Sequence, residues 1–281
     1  MERIRLNNRV SFPTIGIGTW KITDTDLIFK VLSDAYELGY RLIDTAAAYG
    51  NEIMLAKAMR KLNIQRSEIF IQDKVWNTNR GYKETQEACK KSLKKLKTDY
   101  IDAYLIHWPA SPKLYENWEE INAETWRGME QLYKEGYVRA IGVCNYKIHH
   151  LHKLLANAAI IPQINQVELH PGLTQKELID YCQEKNIFVE ASSPLGNGQI
   201  LDSDVLKKIA EQHKKTTAQI CLRWGIEKRC IVLPKTTSPE RLKENISVFD
   251  FSLTDEETKK IDKMSYCGGL GIDSDEVIEF G

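Results

Sequence analysis

The 281-residue sequence has no long apolar run, no excess of either charge and no paired-cysteine motif. Each absence excludes a class. Without a stretch of ~20 apolar residues, no transmembrane helix and no membrane partner are expected. The N-terminal MERIRLNNRV lacks the apolar core of a signal peptide, so a cytoplasmic protein is expected. A formal net charge of zero removes the electrostatic reason to expect a nucleic-acid partner. The densest charge run, KKSLKKLK at 90–97, places Leu93 and Leu96 three apart and reads as the solvated side of a helix. Six cysteines occur, none in a C-x-x-C pair, and a chain of this size needs no stapling. Reduced thiols are therefore expected, with no structural disulfide and no metal. No linker, low-complexity tract or repeat divides the chain, so residues 1–281 are expected to form one domain.

What is present is alternation. Short apolar runs lie at 15–18, 41–44, 69–71, 103–106, 140–143, 163–166, 187–189 and 230–233, separated by segments of helical spacing such as 26–38 and 82–96. Strand-helix units predict a parallel sheet with crossovers, and eight of them close an α/β (β/α)8 barrel. A doubly wound sheet is the competing arrangement. Against it, Gly16-Ile17-Gly18-Thr19-Trp20-Lys21 contains no G-x-G-x-x-G phosphate loop. Ahead of the first run, residues 4–12 alternate around Asn7-Asn8 and predict a β-hairpin that plugs the barrel's bottom. Thr174-x-x-Glu177 has the pattern of a capping box, and Ser238-x-x-Arg241 has the cap alone.

Active sites of such barrels collect at the C-terminal ends of the strands. The second run ends in Asp44, within LIDTAAAYGNE; the third leads to Lys74, within IFIQDKVW; the fourth leads to His107, within AYLIHWP. Tyr49 lies five residues past Asp44. Singly, these are a helix cap, a loop lysine, a core histidine and a packing tyrosine. Together, three consecutive strands deliver ionisable groups to one rim. A tyrosine starts at pKa ~10, too high for easy donation at neutral pH. A nearby ammonium is expected to lower it, a carboxylate to hold the ammonium, and a histidine to orient a carbonyl. Such a set supplies an acid for a developing alkoxide but no electrons, so a hydride donor must bind elsewhere on the rim. After the eighth run, LPKTTSPER at 233–241 offers a helix N-terminus, hydroxyls, Lys235 and Arg241, the chemistry of a phosphate site. Ser192 and Ser193, within EASSPLGNG, read as a nucleophile, a ligand contact or only a turn.

Gly18-Thr19-Trp20, Ile43-Asp44-Thr45-Ala46 with Tyr49-Gly50-Asn51-Glu52, Lys74-Val75-Trp76, Leu105-Ile106-His107-Trp108-Pro109, Gly142-Val143-Cys144-Asn145, Asn165-Gln166-Val167-Glu168-Leu169-His170-Pro171, Ser193-Pro194-Leu195-Gly196 and Leu233-Pro234-Lys235-Thr236 occur in that order. Over nearly its whole length the chain resembles an aldo-keto reductase, most of all the compact microbial members that reduce small aldehydes, methylglyoxal or diketogluconate. The resemblance implies an NADPH-dependent reductase of aldehydes or ketones. Hydride would pass from nicotinamide to the carbonyl carbon and Tyr49 would protonate the oxygen, with Lys74 and Asp44 tuning Tyr49 and His107 orienting the carbonyl. It implies cofactor contacts along the rim from Gly18, Thr19, Trp20, Asp44 and Cys144. Asn145 and Gln166 would meet the carboxamide, with Ser192 and Ser193 close by. Leu195 and Gly196 would follow the pyrophosphate, Lys235, Thr236, Thr237 and Arg241 would hold the 2′-phosphate, and Asn245 would meet adenine. Trp20, Trp76 and Trp108, with Tyr49 and His107, would wall the substrate pocket, and a monomer is implied.

Two positions depart from the pattern. Cys144 stands where relatives usually carry serine, and Ser192 stands where they carry a ring stacked on the nicotinamide. Looser nicotinamide packing is therefore expected. The departures also give some footing to a regulatory or redox-sensing subunit with slow turnover. A third reading is a barrel isomerase that uses the phosphate chemistry after the eighth run for a substrate phosphate.

Overall fold

The computed structural model describes residues 2–277. Strands β1 (Arg3–Arg5) and β2 (Ser11–Pro13) pair antiparallel as the expected hairpin. Eight more strands follow: β3 (Ile17–Gly18), β4 (Leu42–Asp44), β5 (Phe70–Val75), β6 (Ala103–Ile106), β7 (Ile141–Cys144), β8 (Ile164–Glu168), β9 (Phe188–Ser192) and β10 (Ile231–Leu233). From β3 to β10 each lies beside its neighbour in sequence, in parallel. A bridge from Ile15 to Val232 closes the circle, with Gly16 N–H donating to Val232 O at 3.0 Å and Val232 N–H to Thr14 O at 2.9 Å. A Cβ at Gly16 would lie 2.7 Å from Leu42 and 2.8 Å from Leu233, so only glycine fits this seam. The chain is a (β/α)8 barrel, as its alternation predicts.

The barrel interior is filled by Leu42, Ala103, Leu105, Ala140, Ile164 and Ile231. The hairpin adds buried Leu6 and Phe12 to that cluster. Its Asn-Asn tip docks by side-chain amides, Asn7 Nδ2 to Pro162 O at 3.0 Å and Asn8 Nδ2 to Arg139 O at 2.9 Å. The hairpin thus closes the N-terminal end of the barrel and leaves the opposite rim open.

Helix Tyr82–Leu96 shows how the outer layer forms. Thr85, Ala88, Cys89, Ser92, Leu93 and Leu96 recur at three- and four-residue spacing and are buried. Lys90, Lys91, Lys94 and Lys95 are exposed, the solvated side expected. Burying each leucine contributes about 1.5–3 kcal/mol. Lys97 ends the helix in the left-handed region, at φ 52°. All six cysteines are free thiols, and only Cys267 is exposed.

Three local expectations need correction. β5 continues to Val75, so Lys74 lies within a strand rather than past its end. Gln72 and Lys74 share the interior face, alternating with outward Ile71, Asp73 and Val75, and pairing with β4 and β6 carries the strand through them. Likewise β9 runs through Glu190 to Ser192 instead of stopping at 189. The capping box at Thr174 does not form: Gln175 takes the N-cap position at φ 47°, with no side-chain cap bond, and the helix begins at Lys176. Ser238 caps as expected, its Oγ accepting from Arg241 N–H at 3.2 Å.

The outward face of β5 carries a buried acid, Asp73, fully enclosed between strand and helices. Its Oδ1 accepts from Lys74 N–H at 2.8 Å, while Oδ2 has no partner. Burial, then the neighbouring Glu52 carboxylate, push its pKa up to about 7. A carboxyl raised in the fold binds protons more tightly folded than unfolded, so its contribution falls as pH rises from about 4 towards 7. Asp73→Asn removes that penalty. Its stability relative to wild type is expected to improve between pH 4.5 and pH 8, by up to about 3 kcal/mol. Urea unfolding at the two pH values measures the difference; a difference independent of pH contradicts the assignment.

Candidate active site

β4, β5 and β6 are neighbours in the barrel, so Asp44, Lys74 and His107 arrive side by side. Lys74 is fully buried, and its ammonium pairs with Asp44 Oδ1. It also donates to Thr45 O at 3.0 Å and lies 3.5 Å from the Tyr49 hydroxyl. A short 3-10 turn, Ala47–Tyr49, brings that tyrosine back over the strand ends. The His107 ring stands edge-on to Tyr49, centroids 5.7 Å apart. Trp76 and Trp108 flank His107 at 5.0 and 6.5 Å. Both tryptophans are half-buried and Trp20 is exposed, whereas Trp126 and Trp224 belong to the core. The three tryptophans at strand ends thus stand apart from the packing ones.

Electrostatics refine the expected roles. Burial pulls the Lys74 ammonium down, but Asp44 and Tyr49 outweigh it and the net shift is upward. His107 is held well below its ordinary value by burial and by the Lys74 charge, so its imidazole is neutral. The expected lowering of Tyr49 is corrected. Burial raises its pKa further than Lys74 lowers it, and Asp44 offsets part of the Lys74 effect. Cys144 is fully buried with its thiol pushed well up, again by burial first. A thiol of that kind is not a reactive thiolate.

The remaining candidates line the same rim. Asn145, at φ 62°, donates from Nδ2 to His107 O at 3.0 Å and so ties β7 to β6. Gln166 is nearly buried, its Oε1 3.9 Å from Cys144 Sγ. Ser192 and Ser193 are half-buried at the end of β9, with Ser193 at φ 47°. Leu195 is half-buried, and Gly196, at φ 51°, opens the turn that follows. Lys235 and Arg241 are exposed beside the N-terminus of helix Pro239–Ile246, and neither forms an ion pair among the described residues. Thr236 is buried, its hydroxyl accepting from Ser238 N–H at 3.2 Å, and Thr237 is half-buried. Asn245 is buried in the last turn of that helix. Gly18 lies against Lys235, where a Cβ would come within 3.5 Å of the lysine Cβ. Thr19 Oγ1 donates to Asp44 O at 2.9 Å.

The aldo/keto reductase family matches residues 14–265. The chain belongs to that family. Glyoxal reductase of Bacillus subtilis (strain 168) is 43% identical over 277 residues, 99% of this chain and 98% of that one. Methylglyoxal reductase DkgA of Escherichia coli (strain K12) is 40% identical over 275 residues, 97% of each chain. A mutant of Gox0644 solved in complex with NADPH superposes with a TM-score of 0.90 at 35% identity, covering 99% of this chain and 98% of that one.

In this aldo-keto reductase, three residues of the site escaped the sequence reading. Gln72 donates from Nε2 to Asp44 Oδ1 at 2.9 Å and also to Glu190 Oε2. Glu190 is a fully buried carboxylate beneath the Asp44–Lys74 pair. Their signal was present as polar residues inside apolar strands. Asn51 is the third. Its Oδ1 accepts from Thr45 at 2.6 Å, and its Nδ2 donates to Thr19 O at 3.0 Å and Ile22 O at 3.2 Å. It locks the loop after β3 to the loop after β4.

One cluster of metal-ligating type occurs among the described residues, His149, His150 and Asp275. His150 Nδ1 accepts from Lys147 N–H at 3.2 Å, which puts the ring proton on Nε2, the atom facing Asp275. That nitrogen therefore offers no lone pair to an ion. Lys147 bonds both Asp273 and Asp275, and Ser111 Oγ donates to Asp275 O at 2.6 Å. Residues 273–275 thus act as a clasp that fastens the tail to the loops after β6 and β7.

Proposed function

We propose that this protein, as a single-domain monomer, reduces small aldehydes with NADPH, 2-oxoaldehydes such as glyoxal and methylglyoxal foremost, and that Tyr49 donates the proton. The observation that carries the reading is the contact of one buried ammonium, Lys74, with both Asp44 and the Tyr49 hydroxyl, beside a neutral His107. Bound NADPH supplies the hydride. Burial raises the Tyr49 pKa, so its hydroxyl carries the proton at neutral pH. An alkoxide is about as basic as hydroxide, whose conjugate acid has pKa ~15.7. The transfer therefore runs downhill even from a weak acid. Lys74 steadies the phenolate that remains.

His107 Nδ1 is buried without a partner. An unpaired lone pair there costs less than an unpaired N–H, so the ring proton sits on Nε2 and serves the carbonyl oxygen. Lys235 and Arg241 have no carboxylate partner among the described residues, which suits them to a dianion such as the 2′-phosphate of NADPH. Glyoxal reductase and methylglyoxal reductase DkgA, the two relatives compared, support small 2-oxoaldehydes as substrates. Steady-state oxidation of NADPH and of NADH with glyoxal, methylglyoxal and simple aldehydes tests the reading. Turnover no faster than that of Tyr49→Phe would sink it.

Ser192 places a hydroxyl where the family resemblance expects a ring. Ser192→Tyr is expected to tighten NADPH binding severalfold, since an aromatic contact adds on the order of 0.5–1.5 kcal/mol, up to roughly tenfold. Fluorescence titration with NADPH measures it, and unchanged or weaker binding contradicts the stacking argument.

A further inference from the structure

Two carboxylates and one ammonium share the interior of the barrel beneath Tyr49. Asp44 holds Lys74. Glu190 has no cation of its own. It sits directly across from Gln166 in the β8–β9 register, and its Oε2 accepts from Gln166 Nε2 at 2.7 Å. The same Gln166 nitrogen reaches Asp44 Oδ1 at 3.2 Å. Gln72 Nε2 bridges the same two carboxylates from β5. Glu190 Oε1 is buried without a partner.

This arrangement decides how Gln166 is oriented. Two carboxylate oxygens face one end of its amide, so that end must be nitrogen and Oε1 must point away from them, towards Cys144. The family resemblance implies that Gln166 meets the nicotinamide carboxamide, and the inference rests on that reading and on the NADPH proposal. A carboxamide NH2 then finds an acceptor ready-made in Oε1.

We propose that Glu190 is a positioning residue for the nicotinamide end of the cofactor, acting through Gln166, and that its charge makes the preference between NADP+ and NADPH depend on pH. When Glu190 is protonated, the Asp44–Lys74 pair is balanced and the interior is neutral. Once ionised, Glu190 leaves one net negative charge below the rim. That charge favours the cationic nicotinamide of NADP+ over the uncharged ring of NADPH. Linkage requires the converse, that NADP+ binding releases a proton from Glu190.

The pH window is set by what faces Glu190. Burial, then Asp44, raise its pKa to about 7. The ionisable groups around it are Asp44 on β4, Lys74 on β5 and Cys144 on β7. Lys74 and Cys144 are shifted upward, away from neutrality, and Asp44 is paired with the Lys74 ammonium. Tyr49 is raised and His107 lowered, so neither titrates near neutral pH. The 2′-phosphate is common to both cofactors and cancels in their ratio.

The experiment is fluorescence or calorimetric titration of the full chain with NADPH and with NADP+, at pH 6 and pH 8, for wild type and Glu190→Gln. In wild type, Kd(NADP+)/Kd(NADPH) is expected to fall about threefold or more as pH rises; in Glu190→Gln it is expected to stay flat. An equal fall in both proteins, or a flat wild-type ratio with both cofactors binding, overturns the proposal alone. Absence of binding by either cofactor at either pH overturns the NADPH reading and this one with it. Wild type provides a second measurement that needs no variant. NADP+ binding at pH 7, followed calorimetrically in two buffers of different ionisation enthalpy, should release a fraction of a proton, whereas NADPH should release less. Equal release for both cofactors overturns the proposal.

Discussion

Tyr49→Phe is expected to lower kcat for aldehyde reduction by about 10²–10⁴-fold, the range a positioned general acid supplies. NADPH affinity should change by less than about twofold, because the variant keeps the ring and loses one oxygen. The hydroxyl has a single close polar neighbour among the described residues, Lys74 Nζ at 3.5 Å. Its removal leaves Lys74 with Asp44 and Thr45 O and strands no buried charge. Stability should therefore hold, and the loss should fall on kcat and kcat/KM together. A rise in KM with kcat preserved would show Tyr49 to be a wall of the pocket and not its acid. The raised pKa of Tyr49 adds a second expectation: the rate should not fall on the alkaline side through loss of the acid's proton until well above neutral pH.

The fold was readable because the barrel's strands are buried on both faces and appear as apolar runs, and each of the eight runs overlaps one of β3 to β10. Boundaries were less readable wherever an interior position carried chemistry. Gln72, Lys74 and Glu190 interrupt apolar runs, and local hydropathy ends the strand there, while the neighbouring strands' hydrogen bonds continue it. The same interruptions escaped as site residues. Asp44, Lys74 and His107 were visible at strand ends, but the amides and the acid below them need the register to bring them together. Thr174 fails differently. Its capping box is a local pattern that the left-handed Gln175 overrides.

The sign of the Tyr49 shift could not be read from the sequence either. Residue types alone give an ammonium beside a phenol, whereas the folded chain adds burial and a carboxylate that neutralises the ammonium. Cys144 turns in the same direction. As a departure from the family pattern it suggested a redox sensor, but in the barrel interior its thiol is raised and shielded. That environment favours a packing role, and it removes one footing of the regulatory alternative.

Lys74→Met is expected to combine the largest loss of stability with a loss of activity. Lys74 is fully buried, and removing it leaves Asp44 and Glu190 facing each other through two glutamine amides with no cation between them. Breaking a buried ion pair from one side typically costs about 3–5 kcal/mol. The sign with pH follows from the two carboxyls. Glu190 is already raised to about 7 by burial and Asp44, and losing the nearby ammonium drives it further up. The folded variant then binds more protons than the unfolded chain, so its deficit should be small near pH 5 and fullest near pH 8. Urea unfolding of wild type and variant at both values tests this, and a deficit that grows towards acid would refute it. Activity should fall by at least about 10²-fold, because the phenolate left by Tyr49 loses its counter-charge. The double variant Asp44→Asn/Lys74→Met separates the two effects. With one carboxylate and the ammonium both gone, Glu190 can stay neutral and most of the stability should return. Activity should not return, because nothing in the restored interior carries positive charge to the Tyr49 hydroxyl.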